Sequence, residues 1–68
     1  MSKVKLILMN EGKVDYDFEL EMKIPKKGEI ITVPTVNDEY IHYKVKLIQH
    51  FVERWGAFKY VMVTAITT

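Results

Sequence analysis

The sequence predicts an all-β domain of five antiparallel strands, forming a small barrel or strongly curved sheet with a long C-terminal hairpin. Three observations carry that expectation. Apolar and polar residues alternate with period two, most cleanly where Tyr16, Phe18, Leu20, Met22 and Ile24 interleave with Asp15, Asp17, Glu19, Glu21 and Lys23. A strand of this kind buries one face and solvates the other, which is the antiparallel habit. The three glycines, Gly12, Gly28 and Gly56, each stand between two such runs, where left-handed backbone reverses the chain most cheaply. The last 29 residues hold two long strand-like runs, Tyr40 to Glu53 and Ala57 to Thr67, which meet at Arg54-Trp55-Gly56.

Sixty-eight residues make a single domain, residues 1–68, and a chain of this size buries only about 60% of its unfolded surface. A 49% apolar content with 28% charged residues is that of an ordinary globular domain, and a net charge of +1 creates no strong field toward nucleic acid or membrane. The chain has no cysteine, so disulfides and thiolate zinc sites are excluded and a cytoplasmic location is expected. The opening Met-Ser-Lys-Val-Lys-Leu-Ile-Leu-Met is followed by no small-residue cleavage site and reads directly as a strand. No apolar run approaches the ~18 to 20 residues of a membrane span. Nine lysines to one arginine suggest an AT-rich bacterial, phage or plasmid genome.

Residues 3–9 and 14–24 form the first two strands, joined through Asn10-Glu11-Gly12 as a three-residue loop with Gly12 left-handed at its third position. Counting outward from Met9 opposite Lys13 pairs Val4 with Phe18, Leu6 with Tyr16 and Leu8 with Val14. On the other face Lys5 falls opposite Asp17 and Lys3 opposite Glu19. The acidic row Asp15, Asp17, Glu19 and Glu21 is therefore read as a solvated, charge-paired strand face and not as a cation site, since calcium ligands converge from a loop.

Ile24-Pro25-Lys26-Lys27-Gly28-Glu29 is a turn, with proline fixing φ and glycine ending the reversal, and it feeds a short β-branched strand over 29–33 that Pro34 stops. Residues 34–39 have the Asn-Asp chemistry of an exposed loop. The run Ile-Pro-Lys-Lys-Gly-Glu-Ile-Ile-Thr-Val resembles the entry to the second sheet in small barrels of the Src-homology type, where a Pro-x-x-Gly-acid turn precedes a short strand. The resemblance covers about ten residues by motif and the rest by strand count. It implies a fold and no ligand.

In the last hairpin, strands at 40–53 and 57–67, a left-handed Gly56 pairs Glu53 with Ala57. Leu47 then meets Val63, Val45 meets Ala65, His50 meets Tyr60 and Ile48 meets Met62. Under this register the apolar residues change face at Leu47 and Ile48: the open end presents Val45, Leu47, Val63 and Ala65 on one side, and the turn end presents Ile48, Val52, Phe58, Tyr60 and Met62 on the other. A bent hairpin with a bulge near Leu47 and Ile48 would make both sets core. Alternatively Ile48, Val52, Trp55, Phe58, Tyr60 and Met62, with Phe51 beside them, form an apolar surface for a protein partner or a second copy, and large aromatics dominate binding energy.

Candidate chemistry is sparse. His42 and His50 lie eight residues apart on one strand, about 26 Å at ~3.3 Å per residue, too far to share a metal ion. No hydroxyl is placed beside a histidine and a carboxylate, and no glycine-rich phosphate loop exists, so an enzyme, a cofactor or a metal is not expected. Small barrels also bind single-stranded nucleic acid through aromatic platforms flanked by basic residues. The residues available for that are Tyr40, His42, Tyr43, Lys44 and Lys46, with Lys26, Lys27, Arg54 and Lys59 as phosphate contacts. The near-neutral charge argues against it, and the expected function is a non-enzymatic binding module acting in protein association or self-association through residues 40–67.

Overall fold

The computed structural model describes residues 2–68, the side chains of Ser2 and Phe58 excepted. It has five strands: β1 (Ser2–Asn10), β2 (Lys13–Met22), β3 (Ile30–Pro34), β4 (Tyr40–Val52) and β5 (Phe58–Thr67). They form one sheet in the order β2-β1-β5-β4-β3, curled into a half-barrel. Strand number, all-β class and curvature are those the alternation predicts. One pairing differs: β1 and β5 run parallel, with Val4 opposite Val61, Leu6 opposite Val63 and Leu8 opposite Ala65. The cause lies in their composition. Both strands are apolar on both faces for much of their length, the pattern of strands in the middle of a sheet, and β2, β3 and β4 together supply the long connection that a parallel pair requires.

The first hairpin closes more tightly than its spacing predicts. Asn10 pairs with Lys13, and both turn residues are left-handed, Glu11 at φ 51° and Gly12 at φ 79°, so this is a two-residue turn of the kind that matches strand twist. Asp15 is then an extra residue on β2, because Met9 faces Val14 while Leu8 faces Tyr16. Beyond that bulge Leu6 faces Phe18, Val4 faces Leu20 and Lys5 faces Glu19, two residues on from the expected register. From Tyr16 onward the slip is even and preserves the faces, so Tyr16, Phe18 and Leu20 lie toward the core and Asp17, Glu19 and Glu21 outward, where Lys3 Nζ stands 3.7 Å from Glu19 Oε1. Before the bulge the expected faces exchange, Val14 pairing with Met9 on the outer face and Asp15 leaving the solvated row to accept a hydrogen bond from Tyr43.

The concave face holds the core, made of Val4, Leu6, Leu8, Tyr43, Val45, Val61, Val63 and Ala65. Tyr16, Met22, Ile24, Ile31, Val33, Ile41 and Ile48 pack around it, and Pro25 is buried in the connection from β2 to β3. That connection turns at a left-handed Gly28 (φ 94°) and is anchored to β4, the Gly28 amide donating to the Val45 carbonyl at 2.9 Å and the Val45 amide donating to the Glu29 carbonyl at 2.9 Å. The chain measures 45 × 21 × 19 Å with a radius of gyration of 12.8 Å, more extended than the ~11 Å of a compact chain this long. The β4–β5 hairpin accounts for the length, since β1 accompanies β5 only from Val61 onward and the tip stands clear of the sheet.

Candidate functional site

The β4–β5 hairpin begins from its loop as the sequence predicts. Gly56 is left-handed (φ 90°), its amide donates to the Glu53 carbonyl at 2.9 Å, and the Glu53 amide donates to the Ala57 carbonyl at 2.7 Å. Two bulges then intervene. Val52 faces Phe58 but Phe51 faces Tyr60, leaving Lys59 over; Leu47 faces Thr64 but Val45 faces Ala65, leaving Lys46 over. Between them the register is displaced by one residue, so Ile48 meets Val63, Gln49 meets Met62 and His50 meets Val61.

A one-residue displacement exchanges the two faces. Leu47, placed in the core by an unbroken register, is 49% exposed on the outer, convex face, and Ile48 packs against the core instead. The expected face switch is thus absorbed by the backbone at Lys46, close to where a bulge was anticipated, and it divides the expected partner-binding set. Ile48 belongs to the concave side. Val52 lies on that same side beyond the end of the core and is exposed, and Trp55 is 82% exposed at the tip. Tyr60 and Met62 lie on the outer face with Leu47 and Phe51, while the side chain of Phe58 lies outside the described residues.

Residues paired across a ladder share a face, so the registers lay out the whole outer surface. Ile7 and Met9 of β1 stand beside Thr64 and Ile66 of β5; Lys5 stands beside Met62. On β4, Phe51, Gln49, Leu47 and Lys44 follow in line with Tyr60, Met62, Thr64 and Ile66. Val14 flanks Met9 on β2, and Ile30 flanks Lys44 on β3. The result is an apolar patch on β1, β5 and β4 formed by Ile7, Met9, Met62, Ile66, Leu47, Phe51 and Tyr60, with Val14 at its β2 margin and Lys5, Gln49, Thr64 and Lys44 interspersed. Phe51 and Tyr60 stack across it with ring centroids 4.8 Å apart and an interplanar angle of 14°. Asp17, Glu19 and Glu21, with Lys3 and Lys5, form its rim toward β2. Sequence reasoning missed Ile7, Met9, Leu47 and Ile66 as surface; the signal was that β1 carries lysine at positions 3 and 5 of its outward row but isoleucine and methionine at 7 and 9.

The residues expected to form a nucleic-acid platform are not brought together. Tyr43 is fully buried and its hydroxyl donates to Asp15 Oδ2 at 2.9 Å across the concave face, so it offers no ring for stacking. Burial first, then this hydrogen bond, pushes its phenol up to about 12. Tyr40 and His42 are exposed at the start of β4, with His42 Nδ1 bonded to Thr32 Oγ1 at 2.9 Å. Lys44, Lys46, Lys26 and Lys27 are exposed along the middle of the sheet, whereas Arg54 and Lys59 sit at the far tip of the hairpin. The set spans nearly the whole length of the molecule.

Among the described residues no three histidine, aspartate or glutamate side chains are grouped to hold a metal ion, and no helix is long and apolar enough to cross a membrane. No family model, curated protein or solved structure matched the chain.

Proposed function

We propose that the protein is a non-enzymatic binding module that acts in protein association through the β4–β5 hairpin, residues 40–67, and that it belongs with small barrels of the Src-homology type in architecture. One observation carries the reading: the outer side of the hairpin exposes Leu47 and Ile66 and only half covers Phe51, Tyr60 and Met62, with no second layer of structure over them. Scattered apolar residues are ordinary on a surface, but a contiguous rimmed patch marks an interaction site. Stacked aromatics at its centre are the residue types that anchor interfaces. Trp55 adds an exposed aromatic ring at the hairpin tip. The Tyr40-to-Lys46 platform for nucleic acid is the weaker reading because Tyr43 is withdrawn into the core.

The test compares wild-type protein with the exposed-face variants Leu47→Glu and Trp55→Ala as immobilised bait, after circular dichroism has established equal folding. Partners retained by wild type and lost by Leu47→Glu support the reading. Equal retention by all three, or salt-dependent retention of oligonucleotides that disappears with Lys44→Glu, removes it.

A further inference from the structure

Resting on that reading of the outer face, we infer that the partner covering it is a second copy of this chain, packed face to face about a two-fold axis that runs along β5. The registers define a grid on this face. Its rows, running from β2 to β4, are Glu19, Lys5, Met62, Gln49; Asp17, Ile7, Thr64, Leu47; and Val14, Met9, Ile66, Lys44, with Ile30 beyond Lys44 on β3 and the stacked pair Tyr60 and Phe51 beyond the first row on β5 and β4.

Two isologous arrangements bring this surface against itself, because a two-fold axis lying in the interface runs either along the strands or across them. With the axis across the strands, Glu19 of each copy falls opposite Asp17 of the other, and Lys5 falls opposite Ile7. Like charges are apposed and an ammonium is pressed against an apolar side chain, both unfavourable. With the axis along β5, left and right exchange while the rows stay level. Ile7 of one copy then covers Leu47 of the other, Val14 covers Ile30, and Met62, Thr64 and Ile66 meet their own counterparts, while Met9 falls over the stem of Lys44. The carboxylates of Asp17 and Glu19 fall toward the β3 edge, where Lys26 and Lys27 turn the chain into β3 and are exposed. Only the axis across the strands apposes like charges, so the charge pattern selects the axis along β5, which also brings Ile7 onto Leu47.

The area suits a reversible contact. Four strand spacings of ~4.8 Å by three outward steps of ~6.6 Å, plus a margin for side chains, give about 500 to 600 Å² per copy. That is below the ~800 Å² per partner of a standard interface, so a dissociation constant in the range of tens of micromolar is expected. Two twisted sheets pack aligned at about 30° and about 10 Å apart, which centres the contact on β1, β5 and β4, with β2 and β3 at its margins, and leaves the tip with Trp55 free.

Sedimentation equilibrium from about 10 µM to about 1 mM reads the association directly. The wild type is expected to pass from monomer to dimer across that range, Leu47→Glu to stay monomeric, and Val36→Glu, in the exposed loop before β4, to behave as wild type. Charge reversal tests the axis: Asp17→Lys weakens the dimer about tenfold and Asp17→Lys with Lys27→Glu restores it. A wild type that is monomeric throughout, a dimer indifferent to Leu47→Glu, or a double variant no better than Asp17→Lys overturns the inference. A monomer whose outer face still retains a different protein in a Leu47-dependent way would leave the association reading standing while this one fails.

Discussion

Tyr43 ties the two flanks of the sheet together through a single hydrogen bond, from a strand on one side of the parallel pair to the β2 bulge on the other. Its phenol is held up to about 12 from an ordinary 10.0, chiefly by burial. A raised folded-state value means that the stabilisation is complete below pH 10 and is lost as pH rises from 10 toward 12, because the unfolded chain ionises this group first. Denaturant titrations at pH 8 and pH 11 on wild type and Tyr43→Phe should show the wild-type advantage, about 1 kcal/mol for a hydrogen bond of this kind, shrinking only at the higher pH. Glu11 and Asp38 are the non-glycine residues in left-handed backbone among the described residues, and Glu11 carries the larger conformational cost because its side chain is longer. It occupies left-handed backbone at φ 51° beside Gly12, a conformation that asparagine tolerates and a long side chain does not prefer. Glu11→Asn should therefore raise stability by about 0.5 to 1 kcal/mol, read as a shift in denaturation midpoint with unchanged slope.

Among the elements, β4 is the one whose reading turned on a single residue. Lys46 is the extra residue that lets Val45 and Ile48 both face the core. Ile48→Ala is accordingly expected to cost about 1 to 3 kcal/mol and Leu47→Ala less than about 0.5 kcal/mol, where an unbroken ladder would reverse the order. Equal costs measured by chemical denaturation would refute the bulged register. The same comparison explains what could be read from the chain. The faces of β1, and of β2 from Tyr16 onward, were legible because a pleat repeats every two residues and tolerates an even slip; the register itself was not, because Glu11 gives no sign that it accepts left-handed backbone. The bulge at Lys46 was signalled by the change of apolar face at Leu47 and Ile48, whereas those at Asp15 and Lys59 leave no local mark, as each is an ordinary polar residue in an alternating run. The parallel pairing of β1 with β5 is a long-range choice, visible only as two strands with apolar residues on both sides. For the same reason Ile48 was expected among the exposed apolar residues of the hairpin and Leu47 in the core, whereas Leu47 is exposed and Ile48 packs on the core.

At the scale of the molecule, one curled sheet has to make a core on its concave side while carrying a second apolar surface on its convex side. The core is small: eight buried hydrophobic side chains cluster in it among the described residues, in a chain whose total stability should be about 3 to 10 kcal/mol. Leu8→Ala, at the centre of the concave face, should cost about 2 to 5 kcal/mol and leave much of the population unfolded at 37 °C. Among the described residues nothing covers the convex side, so the apolar residues there contribute little until another surface arrives. Association then becomes part of stability by mass action. For a dimer that dissociates as it unfolds, each tenfold rise in protein concentration above the dissociation constant should raise Tm by about 3 to 5 °C for a domain of this size. Leu47→Glu should abolish that dependence while changing the low-concentration Tm little, since Leu47 contributes no contact to the core. A wild-type Tm independent of concentration up to about 1 mM would mean that the convex face stays bare in solution and that its apolar residues serve some other partner.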